Sequence, residues 1–312
     1  MNKYLKEYKW SNIGEMIKNN KRDSEICKDS FSGKLVVISG TTSGIGDATA
    51  KLYASHGANL IMINRNEEKS KKQCDELQKK YNVSCKYIIT DYTNLSEVIN
   101  TGKKLIALEE DIDVIIHNAG VFQTTKTFTN DGIQKVFQVN YLSSFILNYM
   151  LKDKLSTQKE ARIIFVNSEG HRLAIGGLRL DDLSWKKRHY SGLKGYGEAK
   201  TAQLLSMIAF VKYYEGTGVT INAMHPGNVK TNMGENNGKA YKLSKHLFVN
   251  PSSRSPEISA EALYYLGVSK EKANITGCFF NLTTKEIPAP HVLDSDMAWK
   301  LWEKSKLLGN LQ

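Results

Sequence analysis

From residue 33 onward, the chain alternates between short apolar runs and longer charged segments with helical spacing. The apolar runs are rich in valine and isoleucine and fall at residues 34–39, 59–63, 86–90, 113–116, 162–166 and 219–222. Runs of this kind, separated by amphipathic segments, are typical of βαβ units in a parallel sheet. The pattern therefore predicts a single α/β domain, a doubly wound parallel sheet with helices on both faces. Its ligand is expected at the carboxyl ends of the strands.

The first thirty residues follow a different pattern. Five apolar side chains fall near one face of a helix, namely Leu5, Tyr8, Ile13, Met16 and Ile17. We predict an amphipathic helical extension over residues 1–30, ahead of a catalytic domain at 31–312. The extension either docks on the domain or attaches to a membrane surface, and its narrow apolar face favours docking.

Composition narrows the classes of partner. The net charge of +11 would suit anionic ligands, but the lysines are spread along helix faces and no stripe of arginine and aromatic residues suggests nucleic-acid binding. The four cysteines show no C-x-x-C pair and no histidine at ligand spacing, so no metal is predicted. No apolar run is long enough for a signal peptide or a membrane span. We expect a cytoplasmic protein without a nucleic-acid or membrane partner.

A glycine-rich turn follows the first apolar run, in the segment 39–47. Its glycines are spaced G-x-x-x-G-x-G at Gly40, Gly44 and Gly46, and a helix is predicted to start near Ile45. Glycine lets the backbone approach a pyrophosphate closely, and the helix N-terminus adds oriented N–H groups. The predicted cofactor contacts here are Gly40, Thr42, Ser43, Gly44, Ile45 and Gly46.

The end of the second apolar run bears on the choice of dinucleotide. An acidic side chain there would accept hydrogen bonds from a free ribose hydroxyl and repel a 2′-phosphate. The sequence instead has Asn64 and Arg65, and a guanidinium suits a phosphate. We therefore predict NADP as the cofactor, with Asn64 and Arg65 among its contacts.

Tyr196 and Lys200 carry the strongest chemical signal, because residues four apart share one face of a helix. A nearby ammonium lowers the pKa of a phenol towards the range where it can exchange a proton. Ser168 ends a predicted strand, so its hydroxyl should emerge at the ligand-binding edge. Asn140 falls in the middle of a predicted helix, where asparagine is unfavourable without a further role.

Taken together, these motifs resemble the short-chain dehydrogenase/reductase family. The resemblance rests on the glycine spacing, on Asn118-Ala119-Gly120 after the fourth strand, and on Tyr196-x-x-x-Lys200. Ser39 replaces the family's usual threonine but keeps the hydroxyl. The resemblance implies a Rossmann fold and hydride transfer between NADP(H) and a carbonyl or alcohol substrate.

The same resemblance implies roles for individual residues. Tyr196 would exchange the proton, Lys200 would lower its pKa, and Ser168 would hold the substrate oxygen. Asn140 would hold a water through its backbone, as part of a proton relay to Lys200. The further cofactor contacts that it implies are Asp91, Tyr92, Asn118, Ala119, Gly120, Tyr196, Lys200, Pro226, Gly227, Val229 and Thr231.

Longer stretches resemble the retinol dehydrogenase and protochlorophyllide reductase branch. They are residues 180–185, Tyr190 and residues 301–305, and the similarity covers residues 32–308. An apolar aldehyde, ketone or alcohol is the expected substrate, under a lid around 231–255. We expect no membrane anchor of the kind that vertebrate retinol dehydrogenases commonly carry, which weakens the case for a retinoid. A homo-oligomer is left open.

Two alternatives compete with this interpretation. An NADP(H)-binding sensor or scaffold would keep the cofactor site with little turnover, and the complete set Asn140, Ser168, Tyr196 and Lys200 argues against it. Nucleotide-sugar epimerases and dehydratases use the different glycine spacing G-x-x-G-x-x-G. The natural substrate, the favoured direction and the pathway are not specified by the sequence.

Overall fold

The computed structural model describes residues 3–19, 22–229, 234, 237 and 254–312. Its centre is an eight-stranded sheet in the order β3-β2-β1-β4-β5-β6-β7-β8. The strands are β1 Leu35–Ser39, β2 Asn59–Asn64, β3 Cys85–Ile89, β4 Val114–His117, β5 Ala161–Val166, β6 Val219–His225, β7 Phe279–Asn281 and β8 Thr284–Glu286. All neighbours pair in parallel except β7 and β8. The predicted doubly wound α/β fold, a Rossmann fold in one domain, is confirmed.

Helices cover both faces of this sheet. They are α1 Trp10–Asn19, α2 Gly44–Ser55, α3 Glu67–Tyr81, α4 Leu95–Ile106, α5 Lys135–Phe137, α6 Ser143–Thr157, α7 Gly192–Tyr213, α8 Pro256–Val268 and α9 Ser295–Leu308. Along β1, Val37 belongs to one core cluster, whereas Val36 and Ile38 belong to the other. Because both faces of the strand are buried, its sequence is continuously apolar rather than alternating.

The strand order reverses beside β1, which pairs with β2 on one side and with β4 on the other. Chain connections leave a crevice at such a switch point, outside the carboxyl ends of the strands. The glycine-rich turn follows β1, Asn118 follows β4 and Ser168 lies two residues beyond β5. Parallel pairing therefore brings motifs that are far apart in sequence to one edge of the sheet.

The sequence pattern missed the last two strands. β7 and β8 have three residues each, too few for a periodic signal, and β7 adds to β6 by pairing Ala223 with Phe279. β6 also continues to His225 instead of ending at residue 222. These strands widen the sheet at the edge nearest the N-terminal segment.

The described part of the N-terminal segment contacts the domain through polar side chains. The Tyr4 hydroxyl donates a hydrogen bond to Asp294 (2.8 Å), and the Asn19 amide donates one to Glu286 (2.9 Å). Leu5 and Ile17, two members of the predicted apolar face, are 48% and 53% exposed. In the described ranges, no helix combines the length and apolarity needed to cross a bilayer.

Asp294 joins this segment to the last helix. Its carboxylate accepts the backbone N–H of Met297 as the N-cap of α9 and also bonds Lys3 and Tyr4. Burial alone would raise the pKa of Asp294, but the bonds from Lys3, Met297 and Tyr4 outweigh it and lower the pKa to about 2. The ionised form is thus the one that the folded chain stabilises.

We expect Asp294→Ala to lower the free energy of unfolding by about 1 kcal/mol, the usual cost of losing an N-cap. Amide hydrogen exchange in residues 3–19 should accelerate as well. A depressed carboxyl pKa contributes stability above its unfolded value of about 4, and that contribution is lost as the pH falls towards 2. The difference in free energy of unfolding between wild type and Asp294→Ala, measured by urea unfolding, should therefore shrink as the pH falls from about 4 towards 2.

Asp296→Ala is the matched control, because Asp296 lies in the first turn of the same helix without capping it. Equal destabilisation by the two substitutions would contradict the role assigned to Asp294.

Candidate active site

The Ser39 hydroxyl joins the glycine-rich turn to the loop after β4. Its oxygen accepts the backbone N–H groups of Asn118 (3.1 Å) and Ala119 (3.0 Å). The Asn118 amide in turn donates to the carbonyls of Ser39 (3.1 Å) and Gly40 (2.9 Å). The serine thus keeps the bonds for which a hydroxyl is needed, and the Asn118-Ala119-Gly120 segment lies directly against the turn.

The glycines leave the turn open to a ligand. Gly40 and Gly44 have φ angles of +73° and +60°, in the region that favours glycine. A Cβ on Gly46 would lie 2.1 Å from the Gly40 carbonyl oxygen, so no side chain fits there. Ser43 precedes α2 in an extended conformation and makes no side-chain cap. The Ser43 side chain therefore does not occupy the first N–H groups of α2, and a helix N-terminus of this kind fits the pyrophosphate of a dinucleotide.

At the end of β2 the two predicted contacts behave differently. The buried Asn64 amide accepts from the Thr41 N–H (2.7 Å) and donates to the Thr41 hydroxyl (2.9 Å), so it supports the turn from within. Arg65 is exposed, and in the part of the chain that the structure describes no carboxylate pairs with its guanidinium. Arg65 therefore has donors available to a ligand, whereas the Asn64 side chain uses its own within the protein.

The loop after β3 holds Asp91 and Tyr92. The Asp91 carboxylate accepts the Thr93 N–H (2.9 Å), and the Asp91 N–H donates to Glu97 (2.7 Å). The Tyr92 ring is buried in the core, so a contact from this residue to a ligand would come from its backbone.

Helix α7 places Tyr196 and Lys200 one turn apart, with the Lys200 Nζ 5.8 Å from the centre of the Tyr196 ring. Gly170 locates Ser168 relative to them. A Cβ on Gly170 would lie 2.8 Å from the Cε1 of Tyr196 and 3.2 Å from the Oγ of Ser168. The phenol and the serine hydroxyl are therefore neighbours across a glycine, and the three side chains predicted to react lie together.

Lys200 is 4% exposed. Its Nζ donates a hydrogen bond to the Val166 carbonyl (2.7 Å), and no described carboxylate is paired with it. Burial lowers the pKa of Lys200 to about 7, because the charged form loses the solvation of water. Its protonation state is therefore sensitive to every further dipole within reach.

Asn140 lies in a π-helical turn, Gln138–Leu142, between α5 and α6. Its side-chain oxygen accepts the Val121 N–H (2.6 Å) and its amide donates to the Val121 carbonyl (2.8 Å). Its backbone carbonyl accepts a bond from Gln203 (3.3 Å). The unusual position of this asparagine thus has a structural reason, since it holds the loop that follows Asn118-Ala119-Gly120.

The sequence interpretation missed a cluster that ties residues 174–191, an insertion between Ser168 and Tyr196, to α7. Arg188 binds Glu198 through both terminal nitrogens (2.5 and 2.7 Å), bonds Asp182 (3.3 Å) and stacks 3.7 Å above the Trp185 ring. Glu198 lies between Tyr196 and Lys200 in sequence. The sequence offered one signal for this cluster, since Glu198 is an acidic residue inside the Y-x-x-x-K segment. A carboxylate that is buried on a helix needs a cation as its partner.

The segment after β6 begins at Pro226, whose carbonyl accepts from Ser259 (2.6 Å), and turns at Gly227 with φ +78°. Val229 forms a parallel bridge to Arg254. Thr231 lies outside the described residues, as does most of the predicted lid at 231–255. Within that range, Asn237 accepts the Thr124 N–H (2.8 Å).

Comparison with known proteins agrees with this geometry. Residues 34–178 match the model of the short chain dehydrogenase family. The chain is 32% identical to human Retinol dehydrogenase 13, covering 91% of this chain and 87% of that protein. It is 30% identical to human WW domain-containing oxidoreductase, covering 89% and 68%.

Solved structures share the fold at lower identity. A short chain dehydrogenase from Shigella flexneri superposes with a TM-score of 0.66 at 18% identity, covering 85% of this chain and 96% of that one. A short-chain dehydrogenase/reductase from Serratia marcescens gives 0.63 at 20%, covering 84% and 98%.

The chain belongs to the short-chain dehydrogenase/reductase family, whose members are oxidoreductases that bind a nicotinamide cofactor and act on small molecules. Within that family it falls in the retinol dehydrogenase-like branch.

We expect Gly46→Ala to weaken binding of the nicotinamide cofactor by about tenfold or more, since the new Cβ would force the turn and α2 apart. Fluorescence titrations with NADPH and with NADH measure the affinity, and thermal unfolding checks that the fold survives. Gly14→Ala is the control, because a Cβ there meets nothing within 4 Å. Unchanged affinity in Gly46→Ala would show that the turn does not hold the cofactor.

Proposed function

We propose that this protein transfers a hydride between NADP(H) and a carbonyl or alcohol group of a small, apolar substrate, with Tyr196 as the general acid or base. The observation that carries the proposal is the buried Lys200 side chain, one helical turn from Tyr196 and without a paired carboxylate among the residues that the structure describes. A buried lysine without an ion-pair partner is costly, and groups perturbed in this way are concentrated at functional sites.

Ser168 is suited to orient the substrate oxygen. Its Oγ accepts the Gly170 N–H (3.0 Å), so the hydroxyl proton points elsewhere and can be donated to a carbonyl oxygen. When bound, the nicotinamide supplies or accepts the hydride. Tyr196 gives its phenolic proton to the substrate oxygen in reduction and takes it back in oxidation. Lys200 stabilises the phenolate in either direction.

The preference for NADP(H) over NAD(H) rests on Arg65. It is exposed at the end of β2, where a 2′-phosphate would lie, and it offers a planar set of donors. The neutral Asn64 beside it brings no charge that would repel a phosphate.

The apolar character of the substrate is supported by aromatic side chains beside the proposed proton donor. The Phe122 ring lies edge-on to Tyr196, with 5.8 Å between the ring centres. Trp185 and Tyr190, from the insertion, contact each other, and the Tyr190 ring lies against Gly195, the residue before Tyr196 on α7. The retinol dehydrogenase names of the relatives agree with an apolar substrate class. The cytoplasmic location expected from the sequence stays a prediction.

We expect Tyr196→Phe to retain NADPH binding and to lose at least about 100-fold in kcat, because it removes only the proton donor. The assay is NADPH oxidation with a panel of aliphatic, aromatic and isoprenoid aldehydes and ketones. Normal turnover by the variant would refute the proton-transfer role. NADPH binding by the wild type without turnover on any compound would favour a sensor or scaffold.

Arg65→Asp should lower the affinity for NADPH by about 100-fold and leave the affinity for NADH nearly unchanged, because the new carboxylate would repel the 2′-phosphate. Both affinities are measured by titration. Lys79→Asp, the same charge change at the far end of α3, should alter neither. Equal losses for both cofactors in Arg65→Asp would mean that Arg65 does not recognise the phosphate.

A further inference from the structure

Gln203 lies one turn beyond Lys200 on α7 and is 2% exposed. Its amide nitrogen donates to the Asn140 carbonyl (3.3 Å). Its amide oxygen accepts from Asn167 (2.8 Å) and lies 3.5 Å from the Lys200 Nζ. Gln203 therefore contacts three elements of the site at once, the π-helical turn, the end of β5 and the lysine.

The orientation of this amide follows from its partners. A backbone carbonyl can only accept, so Gln203 must turn its nitrogen towards Asn140. The oxygen is then obliged to face the Lys200 ammonium and the Asn167 amide. Reversing the amide would place two N–H groups against the ammonium and leave the Asn140 carbonyl facing an oxygen.

Asn167 extends the same chain of amides to Ser168. Its oxygen accepts the Ser168 N–H (2.8 Å), while its nitrogen bonds the Lys200 carbonyl (3.0 Å) as well as Gln203. Buried polar chains of this kind hold their members in one arrangement when every group is satisfied. The serine, the lysine and the Asn140 backbone are thus fixed relative to one another.

Among the described residues, the groups that face Lys200 include no carboxylate and no second cation. They are Tyr196 and Gln203 from its own helix and the Val166 carbonyl from β5. Among the described residues only two oxygens, those of Val166 and Gln203, stand where they can accept from Nζ. Loss of either would leave the charged form of a buried amine with a single acceptor.

We propose that Gln203 is a positioning residue that holds the Lys200 side chain beneath Tyr196 and favours its charged form. The inference rests on the hydride-transfer function proposed above. Burial lowers the pKa of Lys200 to about 7. Near neutral pH, a small further change in this pKa, such as one caused by the Gln203 amide oxygen, therefore alters the fraction of Lys200 that is charged.

The test measures the titration of Lys200 directly in the protein without cofactor or substrate. Lysines labelled with ¹³C at Cε are followed by NMR across pH 5–11, and Lys200→Arg identifies the signal. Gln203→Met, which keeps the volume and removes the amide, should lower the pKa of Lys200 by about 1. Gln203→Glu should raise it by a similar amount, because a carboxylate replaces the amide oxygen.

Gln158→Met is the matched control. Gln158 is a buried glutamine whose amide bonds the backbone of Ile112 at the amino ends of the strands, away from the site at their carboxyl ends. It should leave the titration of Lys200 unchanged. An identical pKa in wild type and Gln203→Met would overturn the proposal. If Gln203→Met does not fold, an unchanged pKa in Gln203→Glu would overturn it equally.

Turnover provides the second measurement. The pH profile of kcat for carbonyl reduction should shift down in Gln203→Met and up in Gln203→Glu, with little change in KM. At pH 8 the Met variant should lose about tenfold in kcat. Shifts in the Lys200 titration in a protein that reduces no carbonyl compound would support the positioning role and refute the proposed function.

Discussion

The ammonium of Lys200 lies inside the protein with a backbone carbonyl and a side-chain amide as its oxygen neighbours. Removing a charge from water is costly, and no described carboxylate offsets that cost here. The surrounding structure must therefore hold its dipoles in place, which explains why Val166, Asn167 and Gln203 are themselves buried and hydrogen-bonded. A rigid set of neutral dipoles leaves the lysine close to the balance between its two protonation states.

The same rigidity depends on the parallel sheet. The glycine-rich turn, the Asn118 segment and Ser168 follow the carboxyl ends of β1, β4 and β5, and parallel pairing keeps those three strand ends side by side. Ser39 and Asn140 complete the arrangement by binding the backbone of the neighbouring loops. Hydroxyl and amide side chains replace a longer hydrogen-bonded ladder where the sheet stops.

The apolar runs, the glycine spacing and the Y-x-x-x-K segment predicted most of the sheet, the cofactor turn and the family. Local pattern suffices there because a strand buried on both faces is apolar along its length and because a close approach demands glycine. The three-residue strands β7 and β8 were not predicted from the sequence, because they form by pairing, β7 with β6 and β8 with β7. The Arg188–Glu198 pair was not predicted either, because it depends on the packing of the irregular insertion against α7.

Sequence alone determined which chemical groups are present and how they are spaced along each element, including the phenol and ammonium on one face of α7. Tertiary structure decided what surrounds them. Gln203 has no motif of its own; helical spacing places it near Lys200, but it meets Asn140 and Asn167 only because β5, the π-helical turn and α7 pack together. Likewise, Asn64 turns inward while Arg65 stays exposed. The hydrogen-bond partners of these polar side chains come from segments distant in sequence, and no local pattern encodes them.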